Sequence, residues 1–68
     1  MVLVFKTDIK QKHENEIRKI LFDFTEITKI DFDFEDCDNI LRIEADKNLI
    51  SEIETLLNSN SFYCKDLV

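Results

Sequence analysis

The side chains that could hold a transition metal or act as nucleophiles are few: His13, Cys37 and Cys64, in a chain of 68 residues. A neutral imidazole is a competent donor to zinc, copper or nickel, and a thiolate suits the softer metals. Their spacing scatters them. His13 lies in the polar stretch TDIKQKHENE, residues 7–16; Cys37 sits between Asp36 and Asp38; Cys64 follows Phe62 and Tyr63. The acids flanking Cys37 are expected to disfavour its thiolate, which argues against a reactive nucleophile. Cys64 alternates with Tyr63 and Lys65, the pattern of a small core hydrophobe. His13 reads first as a packing residue at a helix edge and only second as a ligand. A site using His13, with Cys64 as a further ligand, is therefore the competing reading. The expected cofactor is none, with Zn, Cu or Ni as the alternatives.

The remaining chemistry is thinner still. Asp31, Asp33, Glu35, Asp36 and Asp38 suggest calcium, but alternate strand residues spread their carboxylates over a flat surface, whereas calcium needs six to eight oxygens around one point. They read as a solvated strand face that also guards an edge strand against pairing with another chain. No Ser-His-Asp or Cys-His pattern is brought together, and no glycine-rich phosphate loop exists in a chain with no glycine. The expectation is that the chain is not an enzyme.

The elements that position these residues follow from hydrophobic periodicity. MVLVFKT is a strand with Leu3 and Phe5 inward. Ile17, Ile20, Leu21 and Phe24 recur at helical spacing, predicting a helix of roughly ten to fifteen residues. In ITKIDFDFE, Ile30, Phe32 and Phe34 alternate with Asp31, Asp33 and Glu35, a half-buried strand. After the turn DCDN, Leu41, Ile43 and Ala45 alternate with Arg42 and Glu44, completing a hairpin. DKNLISEIETLLNSN returns to helical spacing, with Asp46 or Asn48 as its cap, and FYCKDLV is a last strand. The order βαββαβ, with right-handed crossovers, predicts an α+β ferredoxin-like sandwich. Its antiparallel sheet runs 4-1-3-2 in strands numbered along the chain, and both helices lie on one face. One domain spanning residues 1–68 is expected. Cys37 and Cys64 then lie three strand positions apart, roughly 14 Å at about 4.8 Å per strand, too far for a disulfide.

Composition narrows the partners. Net charge is -6, with five Lys/Arg against three acids in residues 1–20 and four against twelve in residues 21–68. An acidic chain without a large basic face is a poor ligand for nucleic-acid phosphates. The outward residues of the two central strands, Val4, Lys6, Arg42 and Glu44, lack the aromatics of an RNA-binding sheet. The same fold as an acylphosphatase needs an arginine after the first strand, where this chain has only lysines. No apolar run approaches membrane-spanning length, and MVLVF lacks the basic start of a signal peptide, so a cytoplasmic location is expected.

The hydrophobic spacing of nearly the whole chain resembles the small heavy-metal-associated domains of copper chaperones and metal-ATPase N-termini. EITKIDFDF is similar to the stretch after their first helix, with Ile27 at the valine of the family's GV. Ile17, Leu21 and Phe24 fall on the helix's apolar positions. EIETLLNSNSFYC resembles their second helix and last strand, with Phe62 at the aromatic. The family's metal motif, G-M-x-C-x-x-C, is absent. On the ungapped register Asp8 stands at the methionine, Lys10 at the first cysteine and His13 at the second. A two-coordinate Cu(I) site needs two thiolates, and a protonated lysine repels the cation. TDIKQKHENE therefore reads as a helix start, with Asp8 and Gln11 forming a capping box that begins the helix at Ile9. Ile9, His13, Ile17 and Leu21 would then share one face.

What the resemblance implies is a domain with the metal loop lost, acting in protein interaction or oligomerisation. The surfaces offered are the basic loop of Lys10, Lys12 and His13, and the open sheet face around Val2 and Val4. The expected partner is another protein or a second copy, with no nucleic acid and no membrane. A small-molecule sensor is a third, weaker class.

Overall fold

The structure is a computed structural model that describes residues 1–35 and 39–67. Its elements run β1 (Val2–Thr7), a 3₁₀ turn (Gln11–His13), α1 (Glu14–Leu21), β2 (Ile27–Asp33), β3 (Ile40–Ala45), α2 (Ile50–Ser59) and β4 (Cys64–Asp66). The four strands form one sheet in the order β2-β3-β1-β4, with all three pairings antiparallel. This is the ferredoxin-like order expected from the alternation.

Alternation along the strands is what fixes the register. Leu3 faces Ile43 and Phe5 faces Leu41, all four buried, while Val4 faces Arg42 on the other side of the sheet. Slipping by one residue would turn the whole apolar set to water. Those inward residues share one core with Ile17 and Leu21 of α1 and Ile53 and Leu57 of α2, so both helices cover the same face. The outward face keeps Lys6 and Arg42 exposed beside a half-buried Val4 and a 53% exposed Val2. Phe32 and Phe34 are only half-buried. Their rings stack with centroids 5.2 Å apart at the rim of the core rather than at its centre.

Without glycine or proline, the chain bends through other devices. At Thr28 a bulge interrupts the β2–β3 ladder, and the Thr28 hydroxyl donates to the Glu44 carbonyl at 3.2 Å. Asn48 starts α2 by accepting the Ile50 N–H on its side-chain oxygen at 2.9 Å. The end of α2 is a Schellman motif. Phe62 N–H reaches the Leu57 carbonyl at 3.0 Å, Ser61 N–H reaches that of Asn58 at 3.1 Å, and Ser61 takes φ 72°. Phe62 then packs into the same core as Leu57, the apolar contact that usually accompanies this cap.

The first helix differs from the sequence expectation. It begins at Glu14, after a 3₁₀ turn, and has eight residues. Asp8 is not its cap, and Ile9 lies before it. Ile9 nevertheless stays fully buried, because the loop folds it down into the core. The acids Glu14 and Glu16 in the first turn of α1, and Arg18 and Lys19 in its last, complement the helix dipole.

Candidate functional site at the loop end of the sheet

Antiparallel pairing brings three connections to one end of the sheet: the segment after β1, the entry to β3, and the loop from α2 into β4. Thr7 closes the first pair. Its side chain is buried, and its hydroxyl donates to the Asn39 carbonyl at 2.5 Å while accepting the Ile9 N–H at 3.1 Å. Asn39 meets it with φ 47°, a left-handed conformation that asparagine tolerates better than most residues. Asp8 closes the second pair. Its carboxylate accepts the Tyr63 N–H at 2.8 Å, and its own N–H donates to the Tyr63 carbonyl at 3.3 Å. The carboxylate expected to cap a helix instead pins the last strand to the first.

His13 sits where the chain enters α1. Its Nδ1 accepts the Lys10 N–H at 3.1 Å, its own N–H donates to the Lys10 carbonyl at 2.9 Å, and its ring meets that of Phe62 edge-on at 5.1 Å. The imidazole is half-buried and already employed in holding the turn. With Nδ1 taken by a backbone donor, one ring nitrogen remains to offer. Lys10 and Lys12 are exposed on the same turn.

Cys64 lies at the same end but beneath it, on the inward face of β4 opposite Thr7. It is buried as a free thiol in the main core. Burial, with the Glu54 and Asp66 carboxylates adding to it, pushes that thiol from 9.0 up to about 12. It therefore stays protonated at neutral pH, as the reading of a small core hydrophobe requires. Cys37, with Asp36 and Asp38, lies outside the described residues.

The described donors at this end are not gathered around one point. Lys10 is an exposed lysine, His13 has one ring nitrogen left to offer, and Cys64 is held neutral in the core. Among the described residues no three His, Cys, Asp or Glu side chains are grouped to hold an ion. Among the described residues, too, no helix is long and apolar enough to cross a membrane.

No family model and no curated protein matches this sequence. In structure the chain is similar to the N-terminal domain of ZntA, solved in solution in its Zn(II) form, with a TM-score of 0.80 over 97% of this chain and 90% of that one. The fold is a ferredoxin-like βαββαβ sandwich in both. At 12% sequence identity the likeness is one of fold alone. In this chain the segment between β1 and α1 is a turn built around His13, Lys10 and a buried Ile9.

The sequence missed two features of this end. The Asp8–Tyr63 link joins residues far apart in the chain, and Thr7 looks like any strand-end threonine. Only the positions of Asn39 and Ser61, polar residues at turns in a glycine-free chain, hinted at the strained backbone found there.

Proposed function

We propose that this chain is a non-enzymatic domain of heavy-metal-associated fold that has exchanged metal binding for protein contact. The observation that carries the reading is His13 Nδ1 accepting the Lys10 amide. In the resembling family that loop presents two thiolates, whereas here its residues stabilise each other. What remains is a rigid turn with two exposed lysines, in a chain of net charge -6. Such a turn suits recognition of another protein's surface better than coordination. A domain acting in this way is expected to work in the cytoplasm and to need no cofactor.

The second reading is metal binding through His13, with or without Cys64. It is favoured by the similar ZntA domain having been solved in its Zn(II) form. Titrating the whole chain with Zn(II), Cu(I) and Ni(II), while following His13 and Cys64 by NMR, separates the two. The expected result is an affinity no greater than that of a surface histidine, equal in the wild type and in His13→Ala. A submicromolar, one-to-one affinity that disappears in His13→Ala overturns the protein-contact reading and puts metal binding in its place.

A further inference from the structure

Phe22 is 83% exposed, more than any other large apolar side chain among the described residues. Ile17 and Leu21 mark the core side of α1, and one residue more, a turn of about 100°, carries Phe22 away from it. The backbone there is still helical, with the Phe22 N–H on the Lys19 carbonyl at 3.2 Å, so the ring stands on a fixed stem. A hollow of about 430 Å³ beside it is bordered by Asn15, Arg18 and Lys19. Arg18 is engaged, paired with Glu14 at 3.1 Å and donating to the Ile30 carbonyl at 3.2 Å. Lys19 is exposed and has no ion pair among the described residues, so it is the cation left beside the ring. Asp23 follows beyond the helix and does not border the hollow.

The same helical layer holds a recess. Between the end of α1 and the outer side of α2, a hollow of about 560 Å³ is floored by Phe24 and Leu56, both half-buried. Its wall is polar apart from one charge, that of Glu52. Glu52 is exposed, has no ion pair among the described residues, and shares α2 with no Lys or Arg. One layer of the chain therefore presents an apolar ring with a cation beside it and an apolar recess with an anion on its wall. Both halves of a contact are present on one molecule, which is what a self-complementary surface requires.

We infer that the helical layer is a contact between two copies of this chain. Phe22 of each copy enters the recess over the partner's Phe24 and the partner's Leu56, and Lys19 of each meets the partner's Glu52. Each pairing is made twice about a two-fold axis, so the assembly closes at two. The rings supply the affinity, and the exposed ion pairs at their rim set the register. Two rings and two such pairs make a small contact, of the class under about 1,200 Å² that serves transient complexes. The dimer accordingly forms at millimolar concentration and separates at low micromolar. This goes beyond the protein-contact reading above and uses neither Lys10, Lys12 nor His13.

The test is sedimentation equilibrium of the whole chain from low micromolar to millimolar concentration, with ¹⁵N spectra over the same range. Expected are a mass rising from one chain towards two, amide shifts centred on Phe22, Phe24 and the outer side of α2, and an association that weakens with salt. Phe22→Ser should weaken it by more than about tenfold, as loss of a central aromatic anchor does. Lys19→Glu and Glu52→Lys should each weaken it, because each variant's own dimer sets like charges together twice. Their dilute spectra report that both are folded. An equimolar mixture of the two should restore the dimer, since every pairing then joins opposite charges, and so should the chain carrying both substitutions. A chain still monomeric at millimolar concentration, a mass that climbs past two, shifts confined to Lys10–His13 or to the open sheet face, or a mixture no tighter than either variant alone would overturn the contact. The protein-contact reading is decided separately, by the metal titration of His13→Ala.

Discussion

Asp8 and Tyr63 hold each other by two hydrogen bonds, carboxylate to amide at 2.8 Å and amide to carbonyl at 3.3 Å. The pair ties the segment leaving β1 to the segment entering β4, and so decides the shape of the loop end. Asp8→Ala should cost about 0.5–1.5 kcal/mol, the usual net worth of one such bond at an exposed position. Amide exchange checks where the loss falls: protection should drop at Tyr63 and stay unchanged in the first turn of α1. A drop confined to that turn would restore the helix-cap reading of Asp8.

Thr7 offers a sharper loss. Its hydroxyl serves Asn39 and Ile9 at once from a buried position. Thr7→Val keeps the shape and strands the Ile9 donor, which should cost about 1–3 kcal/mol in urea unfolding. Thr7→Ser, which retains the hydroxyl, should recover most of it. An unchanged midpoint in Thr7→Val would show that the bonds contribute nothing, and a loss in Thr7→Ser as large as that in Thr7→Val would mean that packing of the methyl group weighs as much as the bonds.

Ser61 carries φ 72° at the end of α2, where glycine is the common occupant. A left-handed backbone costs a residue with a Cβ roughly 1–2 kcal/mol, and glycine returns part of that to the flexible unfolded chain. Ser61→Gly should therefore stabilise the protein by about 0.5–1 kcal/mol. A thermal melt shifted downward would count against the Schellman geometry.

Cys64 makes stability depend on alkaline pH. Its thiol titrates near 12 in the folded chain against 9.0 ordinarily. Between those values the unfolded state has lost a proton that the folded state keeps, so stability falls as pH rises from about 9 towards 12. Below pH 9 the contribution is complete. Comparing urea midpoints of the wild type and Cys64→Ala over this range isolates the effect: the difference should narrow or reverse with rising pH. Thiol reagents should label Cys64 only as fast as the core opens.

The aromatic residues divide by depth. Phe5→Ala, at a fully buried position, should cost about 3–5 kcal/mol, enough to threaten so small a fold. Phe32→Ala should cost less, since Phe32 is half-buried against Phe34 and beneath Arg18. Phe22→Ser should leave the unfolding midpoint almost unchanged, because Phe22 is exposed.

Much of the fold was legible because strand and helix periods are local. Ile30, Phe32 and Phe34 declare a strand within five residues, and Leu41, Ile43 and Ala45 declare its partner. The burial of Cys64 was readable for the same reason. What failed was local spacing that imitated a familiar signal. Asp8 and Gln11 have the spacing of a capping box, but the carboxylate found a donor 55 residues away. His13, with its Nδ1 on the Lys10 amide, organised the turn instead, so the helix began five residues beyond Ile9. Nor does any sequence pattern announce that Arg18, four residues after Glu14 as an ordinary helix ion pair, also reaches across to the Ile30 carbonyl.

The pairing of β4 with β1 also has a mechanical consequence. β4 runs from Cys64 opposite Thr7 to Asp66 opposite Phe5, and the Leu67 N–H still reaches the Val4 carbonyl. Met1 and Leu67 therefore lie towards one end of the sheet, and the Asp8–Tyr63 lock lies at the other. Force applied through both ends opens this pair like a zipper, one rung at a time, rather than loading all its rungs together in shear. Anything that tethers the chain at either end, whether bead, surface or neighbouring polypeptide, holds it with His13 and its lysines turned away from the anchor.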